Sequence, residues 1–92
     1  MYICTVTIKI NNMKFQDILN TVQSAENGKT VLCHCSNWPD IIWVAFKRDE
    51  HGKPVCTIFL RKENGKFSVV TGARFAQFEI ADIVTEWEVE TL

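Results

Sequence analysis

Neither sign of charge predominates in this chain: ten Lys and Arg stand against eleven Asp and Glu, a formal net charge of −1. That balance, with a pI near 6.1, excludes the general electropositive field that holds a polyanion, because phosphate-backbone affinity is largely counterion release from a basic surface. Nor is the chain acidic enough to mimic a nucleic acid. Glycine is scarce, and its four copies, at 28, 52, 65 and 72, are scattered. No glycine-rich phosphate cradle is therefore present, which counts against a mononucleotide kinase or a dinucleotide enzyme. Long apolar runs are missing too. Nothing approaches the roughly 18 to 20 residues of a membrane span, and the first ten residues lack the basic flank and apolar core of a signal peptide. The expectation is a cytoplasmic protein whose four cysteines are kept as thiols by a reducing compartment. Low-complexity segments are absent as well, and 47% hydrophobic residues suit a chain that folds completely. Ninety-two residues make one domain, 1–92, small enough that oligomerisation would help it.

What is present is a run of β signals. The stretch 41–70 reads IIWVAFKRD, EHGKP, VCTIFLR, KENGK and FSVV: three apolar, β-branched and aromatic runs separated by two short turns. Asn64-Gly65 supplies the positive φ angles of a tight two-residue hairpin, and Gly52 with Pro54 punctuates the first turn. The pattern predicts a three-stranded antiparallel meander, with Trp43 or Phe46 and Phe59 or Leu60 as its largest core members. Upstream, residues 2–10 alternate with period two, which reads as a half-buried strand. Asn11-Asn12 then offers a helix N-cap. Phe15, Ile18, Leu19 and Val22 follow at i, i+3, i+4 and i+7, predicting a helix from about Met13 to about Ala25 that Asn27-Gly28 ends. Residues 30–35 form a short strand with Val31, Cys33 and Cys35 on one face and Leu32 and His34 on the other. Pro39, with the turn formers Asn37 and Asp40 close by, puts Trp38 on a loop. After Val70, residues 75–80 read as extended chain or one helical turn, 81–84 as a short helix or turn, and 85–89 as a closing strand. The order implies an α+β fold, one N-terminal helix packed on a curved antiparallel sheet.

Candidate chemistry is sparse. Cys33-His34-Cys35, with Cys4, His51 and Cys56, invites a metal site, but on a strand His34 points away from its neighbours. Zinc ligands are usually spaced around a turn, so cysteines packed as small hydrophobes are the preferred reading, with no metal or cofactor. A Cys–His nucleophile needs a thiolate, a base and a group that orients the base; His51 sits in a hairpin turn and His34 has no obvious partner. Glu86, Glu88 and Glu90 alternate along the closing strand and read as a solvated outer face. No catalytic residue is assigned. Trp38 is either a hydrophobic plug at the sheet end or a stacking surface, where a base is worth ~1–3 kcal/mol. Asn37 and Asp40 beside it suit polar edges, and Arg48, Arg61 and Arg74 suit phosphates.

The segments Met13-Lys-Phe15-Gln-Asp-Ile18-Leu19, Gly28-Lys29-Thr-Val31, the aromatic loop at Trp38, and Asp82-Ile83-Val84-Thr-Glu-Trp87-Glu88-Val89 resemble, in that order, small phage-encoded proteins of the second Thoeris anti-defence family. The resemblance spans about residues 13–89. It implies a sponge: a homo-oligomer, dimer or tetramer, in the cytoplasm of an infected bacterial host. Such a protein sequesters a cyclic nucleotide immune signal, a cyclic ADP-ribose isomer or a cyclic dinucleotide, without cleaving it. By position the resemblance makes Trp38 the stacking aromatic and Phe75 its partner. The ligand-binding set expected on these grounds is Trp38, Asn37, Asp40, Arg48, Arg74 and Phe75. Where the family commonly has arginine this chain has Cys33 and His34. The alternative is a protein-binding inhibitor, a counter-defence protein or toxin antagonist, that blocks its partner through a strand edge or sheet face.

Overall fold

The structure, a computed structural model, describes residues 8–25 and 29–91. Six strands form one open antiparallel sheet, and one main helix covers part of it. The strands are β1 (Ile8–Lys14), β2 (Val31–Cys35), β3 (Ile42–Arg48), β4 (Pro54–Glu63), β5 (Lys66–Gly72) and β6 (Glu86–Thr91), in spatial order β1-β6-β2-β3-β4-β5. The helix α1 (Phe15–Ser24) joins β1 to β2, and a short helix α2 (Ile80–Val84) precedes β6. Every neighbouring pair is antiparallel, so β6 slots between β1 and β2, the two strands that α1 connects.

The meander β3–β4–β5 follows from local turn chemistry. Asn64 and Gly65 have φ of 53° and 77°, both positive as a tight hairpin between Glu63 and Lys66 demands. In the preceding turn Asp49 Oδ1 accepts from the backbone amides of His51 and Lys53 at 2.8 and 2.9 Å, and those two amide bonds help hold the Asp49 carboxyl below its usual range, the one from Lys53 being the larger cause. Gly52 takes φ 78° there.

Alternation along each strand divides the side chains between two faces. On the helix side lie Val31, Cys33, Cys35, Val44, Phe46, Trp87 and Val89, against which α1 packs the fully buried Ile18 and Val22; burying each is worth ~1.5–3 kcal/mol. On the other side Leu32, Trp43, Ala45 and Leu60 form a smaller cluster, away from the described helix α1. Trp43 and Phe46 are thus both core residues but on opposite faces, and of the β4 pair Leu60 is buried while Phe59 is only partly so. Trp43 is 2% exposed, and Lys62 lies over it: its Nζ sits 4.9 Å from the Trp43 ring and 5.4 Å from Phe67, held there by Glu90 at 2.6 Å.

Three sequence expectations are corrected. The helix starts at Phe15, not near Met13, because Met13 and Lys14 pair with Trp87 and Glu86 in β1. Asn12 is not a cap; it takes φ 61° where a bulge interrupts the register between Ile10 and Met13, and the first helical turn is closed by the Lys14 amide donating to Asp17 Oδ2 at 3.3 Å. Glu90 is not solvated: β6 is an interior strand, and Glu90 is 8% exposed. Residues 75–77 make one 3₁₀ turn and the closing strand begins at Glu86. The expected strand over residues 2–7 and the helix stop at Asn27-Gly28 lie outside the described residues.

Candidate functional site

The β2–β3 loop that carries Trp38 is braced from below. Ser36 donates its amide to Glu86 O at 3.1 Å and its hydroxyl to the same oxygen at 2.8 Å, and it meets Thr85 Oγ1 at 3.1 Å. Asn37 Nδ2 donates to Ala81 O at 3.1 Å, so the loop is tied to α2. The Trp38 amide closes the turn on Cys35 O at 3.0 Å. These bonds orient the indole onto the helix-side face, edge-on to Phe59, Phe78 and Trp87 at centroid distances of 5.8, 5.5 and 5.1 Å. Trp38 is therefore half-buried at the rim of the main core and partly open to solvent.

Beside that rim α2 turns apolar side chains outward. Ile80, Ile83 and Val84, spaced i, i+3 and i+4, are 80%, 41% and 74% exposed, and Ile41 at the far end of the loop is 40% exposed. A row of this kind is what a protein contact surface presents. Asp82, on the inner side of α2, does structural work: its Oδ2 accepts from the Glu79 amide at 3.0 Å and its carbonyl from Trp87 Nε1 at 2.8 Å.

The expected ligand-binding residues are not all gathered here. Asn37 and Trp38 are neighbours at the rim, with the Asn37 amide already engaged by Ala81. Asp40 is exposed, and it lines a cleft on the opposite face of the sheet. Phe75 is 38% exposed, in contact with Phe15, Phe46 and Phe78 at 6.0, 5.7 and 6.0 Å; Trp38 shares with it only the intervening Phe78. Arg74 is exposed just before the 3₁₀ turn, beside a shallow depression formed with Thr71, Gly72, Ala76 and Gln77. Arg48 ends β3, whereas the Trp38 loop precedes its start; six residues of strand rise separate them by ~20 Å. Arg61 is better placed. It follows Phe59 by two residues on β4, so the strand period sets it on the same face as the ring that Trp38 touches, and its guanidinium is exposed with Glu63 3.5 Å away.

The opposite face holds a cleft of about 600 Å³ lined by Asn12, His34, Ser36, Asp40, Trp43, Lys62, Glu86, Trp87 and Glu88. Sequence reasoning missed it because it exists only once β6 lies beside β2, which puts Glu88 across from His34. The alternation of 86–90 was the available signal, and it gave the shared face but not the neighbour.

The three described cysteines are held as thiols. Burial drives Cys33 far above the ordinary thiol range. Cys35 is also raised, by burial first and by nearby Asp82, against a lowering backbone bond from Asn37; Cys56 is raised by burial. Among the described residues no three His, Cys, Asp or Glu side chains converge as metal ligands; Cys33 and Cys35 face the helix while His34 faces the cleft. Cys4 lies outside the described residues. None of the described helices is long and apolar enough to cross a membrane.

No protein-family model, curated protein or solved structure matches the chain.

Proposed function

We propose that this protein is a non-catalytic sponge: it sequesters a cyclic nucleotide signal, a cyclic ADP-ribose isomer or cyclic dinucleotide, between identical copies, as a phage or prophage counter-defence protein. The observation that carries the reading is the juxtaposition of a half-open Trp38 with the outward apolar row of α2, the two joined through the Asn37–Ala81 hydrogen bond. An aromatic platform at the edge of an uncovered apolar patch is half a pocket, and a second copy laid on the patch supplies the other half. The sequence resemblance supplies the ligand class.

Electrostatics supports a ligand on the helix-side face. Arg61 and Trp38 flank Phe59 there, with the exposed Arg61 guanidinium loosely paired with Glu63 at 3.5 Å, whereas the cleft beyond the sheet presents Asp40 and Glu86, and Lys62 of its described lining is held by Glu90 at 2.6 Å. A phosphate is repelled by the second and attracted by the first. Binding without turnover also suits the three described thiols, which burial keeps protonated, since a nucleophile requires a thiolate.

The second reading, a protein-binding inhibitor, is favoured by β5. It is an edge strand with Val69 and Val70 67% and 53% exposed, open to pairing with an extended segment of a partner.

Capture and release separates the two. Purified protein is mixed with a panel of cyclic ADP-ribose isomers and cyclic dinucleotides, freed of excess, denatured, and the supernatant identified. The sponge reading expects one compound returned intact. Altered product makes the protein an enzyme, and no captured compound leaves the protein-binding reading in its place.

A further inference from the structure

We infer that the cleft on the sheet face away from α1 is a separate binding site, and that it takes a planar N–H-donating cation, a guanidinium or amidinium group. The inference does not rest on the sponge reading, which concerns the other face of the sheet. Its volume of about 600 Å³ is in the range of small-ligand sites.

The floor of the cleft is His34, 8% exposed. Its Nδ1 lies 2.7 Å from Ile42 O. A carbonyl oxygen only accepts, so Nδ1 carries the proton, and in the neutral ring Nε2 is left as a bare acceptor. No described residue donates to it, yet the ring lines the cleft. That nitrogen is reached from the cleft, where a donor from outside can meet it. Trp43 backs the ring at 5.3 Å and 31°, which fixes its plane, while the Trp43 indole N–H is spent on Asp40 O at 3.1 Å.

The remaining groups also call for donors. Asp40 and Glu86 bring exposed carboxylates to the rim. Among the described lining residues the lysine is Lys62, and it is spent on Glu90 at 2.6 Å and on the Trp43 and Phe67 rings. A metal ion is not favoured, because no three ligand side chains converge among the described residues. A planar fork of N–H donors bonds carboxylates in pairs and spares a proton for an imidazole nitrogen, which a compact ammonium does less well. The source is either a free small molecule or the arginine side chain of a partner.

The test is an NMR titration of the full chain with ethylguanidinium, with a blocked arginine-containing tripeptide, and with butylammonium as control. The expected result is saturable shifts at the His34 ring and the Trp43 indole, at least fivefold weaker for butylammonium. A tighter tripeptide assigns the source to a partner protein; an equal or weaker one assigns it to a free small molecule. Asp40→Asn with Glu86→Gln, both at exposed positions, should weaken ethylguanidinium about tenfold. His34→Phe, which keeps a ring against Trp43 but removes the acceptor, should weaken it further. The inference is overturned if no saturable shift occurs, if the carboxylate pair variant binds unchanged, or if a cyclic nucleotide occupies this cleft in competition with ethylguanidinium.

Discussion

Lys62 is the side chain whose removal tests the packing account most sharply. Its ammonium meets Glu90 at 2.6 Å, with the two side chains 24% and 10% exposed, and it lies over the rings of Trp43 and Phe67. Lys62→Met keeps the aliphatic stem over Trp43 and removes only the charge. Three effects follow: Glu90 loses its partner on a mostly buried site, the cation–ring attraction disappears, and the coverage of Trp43 persists. Breaking a buried pair costs ~3–5 kcal/mol, which the partial exposure of Lys62 reduces to its low end or below, and the ring contact adds ~0.5–1 kcal/mol. We expect a loss of about 3 kcal/mol. Glu90→Gln, which still accepts from Lys62, should cost about 1 kcal/mol, a hydrogen bond without its charge. The double change Lys62→Met with Glu90→Leu should recover most of the loss, because it is the orphaned carboxylate that is costly and not the absence of the pair. Urea unfolding followed by tryptophan fluorescence measures all three, with an unchanged slope certifying the comparison; in a domain of this size 1 kcal/mol moves Tm by ~4–8 °C. Lys62→Met within about 0.5 kcal/mol of the parent, or a double variant as unstable as Lys62→Met, would refute the reasoning.

Other predictions bear on separate parts of the structure. Gly65→Ala places a Cβ at φ 77° in open space, so its cost is backbone strain alone, ~1–2 kcal/mol, read by thermal unfolding; no change would mean that the turn relaxes to another type. The buried thiols predict alkaline sensitivity. A thiol raised in the native state holds its proton there while the unfolded chain releases it, so the stabilisation is complete below the ordinary value of 9.0 and is lost as pH rises above it, at ~1.4 kcal/mol per pH unit for Cys33. Cys33→Ala should flatten that slope, and an unchanged slope would place its origin elsewhere. Trp38→Phe should retain the fold, since a ring still meets Phe59 and Phe78, while weakening nucleotide capture by tenfold or more; equal capture removes Trp38 from the site.

The parts of this fold written in short-range chemistry were legible in the sequence. Asn64-Gly65 could only be a tight turn, and the spacing of Ile18 and Val22 could only be a helical face. The start of the helix was misread because an Asn can serve either a cap or a left-handed bulge, and the choice was made by the pairing of Met13 with Trp87, far away in sequence. Glu90 was misjudged for the same reason: alternation fixes which face a side chain takes, but whether that face is wet depends on which strands flank it. The candidate site was partly visible. Trp38 on a loop and Arg61 two residues past Phe59 follow from local pattern. The bracing of Asn37 by Ala81, the ~20 Å between Arg48 and the Trp38 loop, and the cleft floored by His34 arise from β6 entering the sheet between β1 and β2.

Native mass spectrometry with the ligand panel puts the proposal to its most direct trial, since one spectrum reports both assembly and cargo. The account predicts a dimer or tetramer carrying an added mass equal to that of an unmodified cyclic nucleotide, and Trp38→Phe depleting that adduct. A lone subunit with no adduct from any compound offered, or an adduct with the mass of an opened ring, would contradict it.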